Sequence, residues 1–293
     1  MITLAGLRRY PVKSTRGHDL ESALVERWGL AGDRRWMIVD DAGEQVTARE
    51  HHRLLTVLPE PIPGGLRLTA PGIAPLEVAE PGTAQPGIPG HVPVSIWDDP
   101  VDASPADPAA DSWLSSIVGR PVRLVFLDDP TRRAIDRAGH PASAGDVVTF
   151  ADAYPMLLAS LSSLQQLNSW IGEAGADQTR ATLDIRRFRP NLVIDGAEPF
   201  AEDTWSRIRV GDTVFRVAGD CSRCVLTTVD PDTIERGHEP IRTLARHRRW
   251  DGKVWFAVNL IPEEPGGTLR VGDPVEVLEA NRPARMDPAR PAA

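Results

Sequence analysis

The stretch GDCSRCVLTTVDP, residues 219–231, contains Cys221 and Cys224, the only two cysteines in this chain of 293 residues. Two thiols at this spacing can form a redox pair, supply half of a zinc site, pack in the core, or leave one sulfur free to bind a metal. The neighbouring residues indicate which of these chemistries the pair supports.

A redox pair and a zinc site are both disfavoured by the flanking sequence. A thioredoxin-type pair opens a helix, whereas the segment VLTTV after Cys224 is rich in β-branched residues, which are poor helix formers. A structural zinc ion takes four ligands, and the next candidates are His238 and His247. Eight residues separate these histidines, where about 3–5 are usual.

Burial of both thiols as small apolar groups remains an alternative, but it does not explain the polar residues around them. A thiol close to Arg223 and to several hydroxyl groups is favoured as the thiolate, and a thiolate is a soft metal ligand. We therefore expect a metal site with a single protein sulfur, in which a cofactor brings the other ligands.

Charge and hydropathy exclude other classes of partner. The chain has 41 acidic and 33 basic residues, and the net charge of −8 argues against non-specific nucleic-acid binding. No apolar run approaches the ~20 residues of a membrane helix, and charges interrupt the first segment, MITLAGLRRYPVKS. We expect a cytoplasmic protein with no membrane contact and no stable disulfide. Only Lys13 and Lys253 are lysines, and an ammonium group suits a phosphate or a tight polar pocket.

Short apolar segments between Pro/Gly-rich turns predict a mainly β (α+β) fold with a few helices. Residues 2–9 are predicted to form a strand that leads into the loop YPVKS, and residues 59–110 contain several short strands. The stretches 207–217 and 268–278 each place a Gly-Asp turn between two strand-like segments. This pattern predicts two hairpins of one barrel-like sheet.

A first helix is predicted at about 107–118, in the segment DPAADSWLSSIV. Asp107 is a good N-cap, and Pro108 suits the first helical position because its missing N–H would have no partner there.

A second helix is predicted near 163–173, where Leu164, Leu167 and Ile171 have helical spacing. Two overlapping capping boxes fit its start, one formed by Ser163 with Gln166 and the other by Ser162 with Gln165.

The cysteine loop and several other segments resemble MOSC-domain proteins. The resembling segments are YPVKS at 10–14, GLAGDRRW at 29–36, RFRPNLVIDG at 187–196, CSRCVLTTVDPDT at 221–233, FAVNL at 256–260 and GTLRVGDPVEVL at 267–278. The resemblance implies a β-barrel-like MOSC domain with a smaller β-rich N-terminal domain. We place the N-terminal domain at residues 1–120, the MOSC domain at 121–280 and a disordered tail at 281–293.

Within this family, the chain resembles the mitochondrial amidoxime-reducing component and its bacterial counterparts, which bind molybdenum cofactor and reduce N-hydroxylated compounds. The resemblance implies that Cys224 ligates molybdenum. It also implies a set of molybdopterin-binding residues: Lys13, Ser14, Arg34, Tyr154, Arg189, Asn191, Ser222, Arg223 and Asn259. Asp230 is a candidate for proton delivery, and a turn-forming role is its alternative. The role of Cys221 stays open.

The implied function is an oxidoreductase that acts on N-hydroxylated or N-oxide small molecules. Two cysteines cannot supply the four ligands of an iron–sulfur cluster, so a separate flavin or 2Fe–2S protein would provide the electrons. The alternative is a molybdenum-cofactor carrier or sulfur-transfer protein that uses a Cys224 persulfide. Pyridoxal phosphate is disfavoured, because only two lysines could form its Schiff base and Lys13 already has a role toward molybdopterin.

Overall fold

The computed structural model describes residues 1–82, 90–135, 142–175 and 182–283, and it is mainly β, as predicted. Its strands are β1 (Ile2–Arg9), β2 (His18–Leu20), β3 (Ser22–Glu26), β4 (Gly29–Leu30), β5 (Trp36–Val39), β6 (Leu58–Ile62), β7 (Gly65–Ala70), β8 (Ile73–Ala79), β9 (Val92–Ile96), β10 (Asp99–Pro105), β11 (Arg123–Phe126), β12 (Met156–Ser160), β13 (Leu192–Asp195), β14 (Arg207–Val210), β15 (Thr213–Ser222), β16 (Arg249–Trp250), β17 (Lys253–Pro262), β18 (Thr268–Arg270) and β19 (Pro274–Glu279). The α-helices of the described residues are α1 (Pro108–Val118), α2 (Leu161–Glu173) and α3 (Ile241–His247).

Seven strands close into a barrel. Their order is β12-β13-β1-β19-β14-β15-β17, and β17 pairs back with β12 to complete the ring. Only the β12–β13 pair is parallel among these seven contacts. Apolar side chains from these strands fill the interior of the barrel. Leu4, Leu158, Ile194, Phe215 and Val258 are fully buried there.

A second core lies outside the barrel and is built largely from the first half of the chain. It joins a four-stranded sheet of order β5-β11-β10-β9 to a three-stranded sheet of order β6-β7-β8. Trp36, Leu68 and Leu114 are buried in it, and Leu114 comes from α1, whose apolar face forms part of this core. The predicted short strands between residues 59 and 110 are confirmed as β6 to β10.

The first predicted helix is confirmed. The Asp107 carboxylate accepts a hydrogen bond from the backbone N–H of Ala109 at 2.7 Å, and Pro108 occupies the first turn. Gly119 ends the helix in the left-handed region, with φ at 84°, where glycine carries no Cβ penalty. Local sequence alone therefore fixes both ends of α1.

The second predicted helix is present, but both predicted capping boxes are wrong. Helix α2 begins at Leu161 after Ser160, and no side chain caps it. The hydroxyls of Ser162 and Ser163 donate instead to the backbone carbonyl of Ala197, at 2.6 Å, and to the carboxylate of Glu202, at 2.7 Å. Tertiary contacts replace the local cap, because these serines lie at a buried junction with other segments.

One of the two predicted hairpins is wrong. β14 and β15 form the first hairpin across the Gly211 turn. In the second stretch, β18 pairs with β3, whereas β19 pairs with β1 and β14. The turn at Gly272 therefore carries the chain from one sheet to another, although its residue types resemble those of the first turn.

Strand β1 positions the loop Tyr10–Ser14 at the rim of the barrel, since β13 and β19 hold the strand on its two sides.

The predicted domain boundary at residue 120 lies just before β11, which pairs with β5 and β10. The domain division itself stays a prediction. Residues 284–293 of the predicted tail lie outside the described residues. Among the described residues, no helix has the length and hydropathy to cross a membrane.

Candidate cofactor site

Cys224 lies between the end of β15 and the 3-10 helix Val225–Thr228, and it is partly exposed. Its Sγ atom accepts a hydrogen bond from Nε of Arg49 at 3.3 Å. Within the described segments, no group of three or more His, Cys, Asp or Glu residues is placed to hold a metal ion. A metal bound at this sulfur would therefore need most of its ligands from a cofactor.

Cys221 has a different environment from Cys224. Its sulfur accepts a hydrogen bond from Nη1 of Arg223 at 2.9 Å and packs against the cluster that contains Phe188 and Phe256. Withdrawal from water raises the pKa of the Cys221 thiol, and the nearby Arg223 only partly offsets this effect. Both cysteines are free thiols. Packing is thus the structural role that Cys221 performs here.

Lys13 is buried, with 6% of its surface exposed, and its ammonium group is aimed at the site. Nζ donates to the backbone carbonyl of Phe150 at 2.8 Å and forms an ion pair with Asp152. Burial lowers the pKa of Lys13 to about 8, although Asp152 raises it. The neighbouring residue Ser14 has φ at 69°, in the left-handed region. Such a conformation is costly for a serine and occurs preferentially at functional sites.

Sequence reasoning missed Arg49 and Asp152, which join Lys13 to Cys224. Nη2 of Arg49 donates to the Asp152 carboxylate at 3.0 Å while Nε contacts the sulfur. Partial loss of hydration disfavours ionisation of Asp152, but the two cations outweigh this effect and the pKa lies well below its usual range. The chain is rich in arginine, so nothing distinguishes Arg49 in the sequence. Asp152, in contrast, lies two positions before Tyr154, which the resemblance indicated.

A second group of predicted residues gathers around Tyr10. The guanidinium carbons of Arg34 and Arg189 lie over the Tyr10 ring, 4.5 Å and 4.2 Å from its centroid. Arg34 donates to Asn191 Oδ1 at 2.9 Å and to the Arg189 carbonyl at 3.3 Å. Both arginines have positive φ, 46° and 55°. Their guanidinium groups are therefore held in place by ring stacking and by constrained backbone.

The predicted asparagines mainly serve the protein. Asn191 is fully buried, accepts from the backbone N–H of Leu157 at 3.2 Å and donates to the carbonyl of Arg8 at 3.2 Å. Asn259 Nδ2 donates to the carbonyl of Asp220 at 3.1 Å. Asn191 thus fixes the strands around the site, and both side chains already use part of their hydrogen-bonding capacity.

Arg223 connects the two halves of the site. Its Nη2 donates at 2.7 Å to the carbonyl of Phe188, the residue before Arg189, while Nη1 contacts Cys221. Ser222 is exposed beside it. The Cys224 end and the Tyr10 end are therefore joined by adjacent residues of one loop and one short helix, Ile185–Phe188.

Two further predicted residues, Tyr154 and Asp230, lie in surroundings set by the protein itself. Tyr154 is buried in a small apolar cluster with Val148 and Ile261, and burial raises its pKa to about 12. Asp230 accepts hydrogen bonds from the backbone of Asp232 and Thr233, each at 2.9 Å. These bonds, with that from Arg187, outweigh the effect of burial and lower the pKa of Asp230. This geometry matches the turn-forming alternative and leaves no proton on Asp230 at neutral pH.

The donor set of the described site fits an anionic cofactor. Two carboxylates, Asp33 and Asp152, lie near the site. Five cationic side chains contribute to it: Lys13, Arg34, Arg49, Arg189 and Arg223. Guanidinium groups bind phosphate and pterin oxygens by paired hydrogen bonds. The partly exposed Cys224 sulfur at one end suits a metal whose other ligands are not protein groups.

Two family models match the chain. The MOSC N-terminal beta barrel domain matches residues 1–121, and the MOSC domain matches residues 145–276. The chain therefore belongs to the MOSC family, and the resemblance drawn from its sequence is confirmed.

Named relatives fall into two groups. The human mitochondrial amidoxime-reducing component 1 is 32% identical over 94% of this chain and 83% of its own length. The rat mitochondrial amidoxime reducing component 2 is also 32% identical, over 91% of this chain and 80% of its own. The rice molybdenum cofactor sulfurase is 29% identical over 90% of this chain, which spans 33% of that longer protein. Both groups associate the family with molybdenum-cofactor chemistry or amidoxime reduction.

Proposed function

We propose that this protein binds molybdenum cofactor at Cys224 and reduces N-hydroxylated or N-oxide small molecules with electrons from a separate flavin or 2Fe–2S protein. The supporting observation is a partly exposed sulfur that accepts a hydrogen bond from Arg49 and has no accompanying protein ligand cluster among the described residues. The name of the human relative, mitochondrial amidoxime-reducing component 1, supports reduction of an N–OH group.

Several side chains would hold the cofactor. The Cys224 sulfur would ligate molybdenum, and the guanidinium groups of Arg34, Arg189 and Arg223 would bind its anionic and pterin oxygens. Bound molybdenum would supply a centre that accepts two electrons from the partner protein and passes them to the substrate. The chain as a whole carries a net charge of −8, which disfavours an anionic ligand. The local cluster of positive charge would therefore provide the attraction for the cofactor.

The reduction consumes two electrons and two protons for each N–OH group, and the oxygen leaves as water. Lys13 is the described side chain best suited to hold a proton near the sulfur, because its pKa of about 8 keeps Nζ protonated at neutral pH. Asp152 and the carbonyl of Phe150 fix the direction of this ammonium group. Asp230 is not part of this proposal, because its carboxylate is already bound by backbone N–H groups and Arg187.

The experiment that tests the proposal is elemental analysis for molybdenum, with fluorescence of the oxidised pterin, on protein made in a host that synthesises the cofactor. We expect wild type and Cys221→Ser to contain both, and Cys224→Ala to lose molybdenum. Full metal retention in Cys224→Ala would contradict the assignment. Reduction of an amidoxime with an artificial electron donor then tests the activity itself.

A cofactor carrier or sulfur-transfer protein is the second candidate. The observation that favours it is the similarity to the sulfurase over 90% of this chain. A loaded protein that is inert toward amidoximes, but carries a persulfide on Cys224 by mass spectrometry, would support this alternative. The cytoplasmic location stays a prediction.

A further inference from the structure

Trp97 is a solvent-exposed tryptophan that lies beside the candidate cofactor site. It occupies the two-residue turn between β9 and β10 and is 42% exposed. The guanidinium carbon of Arg49 lies over its ring, 4.2 Å from the ring centroid, and Nε of the same group donates to Cys224 Sγ at 3.3 Å. A single guanidinium group therefore links the Trp97 ring to the sulfur.

The backbone of Trp97 has a conformation that tryptophan seldom adopts. Its φ is 58°, in the left-handed region, where two-residue hairpin turns prefer glycine, asparagine or aspartate. The region is sterically unfavourable for a bulky residue, and residues held there occur preferentially at functional sites. Turn formation alone therefore does not explain a tryptophan at this position.

The hairpin that carries Trp97 is fixed against the segment that leads to Arg49. The backbone N–H of Ser95 donates to the carbonyl of Gly43 at 2.9 Å, and the N–H of Gln45 donates to the carbonyl of Ser95 at 3.2 Å. The Ser95 hydroxyl also donates to the carbonyl of Trp97 at 3.0 Å. These contacts set the position of the ring relative to Arg49, and hence to the sulfur.

A second exposed apolar side chain lies next to the sulfur. Val225 follows Cys224 directly and is 36% exposed. Few large apolar side chains are exposed among the described residues: Met1, Leu24, Trp97, Val225 and Val271. Single exposed apolar residues are ordinary, but here two of them flank one sulfur that also has cations beside it. This combination suits a ligand with an apolar part as well as a polar part.

The shape of Trp97 favours an aromatic ring as the apolar part. An indole ring gives a flat surface of large area, and aromatic rings bind to one another by offset stacking or edge-to-face contact. Arg49 covers one face of the indole, yet the residue keeps 42% of its surface open to solvent. A planar ring that lies beside the sulfur can therefore still reach the indole.

We propose that Trp97 binds the aromatic ring of the substrate and makes the site selective for aryl over alkyl N–OH compounds. This assignment rests on the proposed function. In an aryl amidoxime, the ring and the N–OH nitrogen are bonded to the same carbon, so the ring lies only a few bonds from the reacting oxygen. Trp97 and Cys224 are likewise close, since both contact the Arg49 guanidinium group. Trp97 is thus a specificity-determining residue.

The binding test uses the isolated full chain without an electron donor, so that no turnover occurs. Ligand-observed NMR titration measures the dissociation constants of benzamidoxime and of acetamidoxime, which has a methyl group in place of the ring. We expect Trp97→Ala to weaken benzamidoxime binding about two- to tenfold and to leave acetamidoxime binding unchanged. Trp97→Phe keeps an aromatic ring and should retain most of the affinity.

Trp28→Ala is the matched control, because Trp28 is also a partly exposed turn residue with an arginine, Arg35, over its ring. It should bind both compounds like wild type. Three results would overturn the proposal: no benzamidoxime binding by wild type, equal benzamidoxime affinity in wild type and Trp97→Ala, or an equal loss of affinity for both compounds. The last result would mean that Trp97 only holds Arg49 in place.

Steady-state kinetics of the molybdenum-loaded chain with an artificial electron donor separates this inference from the proposed function. Trp97→Ala should raise KM for benzamidoxime severalfold with little change in kcat, and leave both constants for acetamidoxime unchanged. Reduction of both compounds with constants that do not depend on Trp97 would overturn the ring-binding role and leave the proposed function in place. A chain that binds benzamidoxime through Trp97 but reduces neither compound would do the reverse. An effect of Trp97→Ala seen only with a protein donor would assign the ring to partner docking and overturn the inference.

Discussion

Two charged clusters of this protein use similar residue types in opposite ways. The internal cluster, next to α2 and α3, contains Ser163, Glu202, Asp203 and Arg248. Arg248 is 0% exposed and donates to Asp203 at 2.7 Å, and Ser163 donates to Glu202 at 2.7 Å. Burial and the neighbouring Asp203 raise the pKa of Glu202 to about 7.

The site cluster contains Lys13, Arg49, Asp152 and Cys224. Here Asp152 is 53% exposed, two cations share it, and a sulfur faces the same space. The charged groups of the internal cluster are paired with one another. Removal of one member therefore leaves the others buried without a partner. The site cluster keeps excess positive charge at a partly exposed surface. We infer that the first cluster maintains the fold and the second is organised for a ligand.

The largest expected effect is on the internal cluster. Arg248→Met leaves Asp203 and Glu202 buried without their cation, and should lower the free energy of unfolding by about 3–5 kcal/mol. Urea denaturation of the cofactor-free chain at pH 8 measures this change. A loss below about 1 kcal/mol would mean that the buried pair does not maintain the fold.

A pH-dependent gain is expected from Glu202→Gln. The pKa of the Glu202 carboxyl is about 7 in the folded chain, against an ordinary value of 4.5. The folded chain therefore binds the carboxyl proton more tightly than the unfolded chain does. As the pH rises from 4.5 through 7, this contribution to the free energy of unfolding is lost. Glutamine cannot ionise, and should raise the free energy of unfolding by about 2–3 kcal/mol above pH 8 and not at all near pH 4. Parallel urea curves at both pH values test this. A constant difference between the two proteins would contradict it.

The smallest effect on stability is expected in the site cluster. Arg49→Met should change the free energy of unfolding by less than about 1 kcal/mol, because its ion pair is partly exposed. Molybdenum content, in contrast, should fall severalfold, since Arg49 contacts both Cys224 and Asp152. Arg207→Met, which breaks an exposed pair with Glu263 on the barrel, is the control. Equal metal content in the two variants would remove Arg49 from the site.

The parts of the fold that depend on neighbouring residues were predictable from the sequence. Helix α1 has its cap and its terminating glycine within a few positions, and the first hairpin closes on its own turn. The wrong predictions share one cause, which is competition from distant partners. Ser163 bonds to Glu202 instead of capping α2, and β18 pairs with β3 instead of β19.

The candidate site shows the same division. The cysteine loop and the Tyr10–Ser14 loop were visible as motifs, and the structure brings the two regions together, since Arg16 donates to the carbonyl of Pro231 at 3.0 Å. Arg49 and Asp152 were not visible, because their importance depends on contacts with Lys13 and Cys224 across many residues of sequence. A motif identifies the residues of a short segment, but the charges and contacts around those residues depend on the whole fold.

The position of β1 has a consequence for how the chain is made. Strand β1 pairs locally with β2, but its barrel partners are distant: Thr3 pairs with Asp195 and Ile2 pairs with Val275, so its last pairing forms only after nearly the whole sequence has been synthesised. Such long-range pairing gives a high contact order and slow folding. Lys13, on the loop after this strand, is fixed by Phe150 and Asp152, so the candidate site also needs distant segments to be in place. Assembly of the site is therefore among the last events in the biogenesis of this protein.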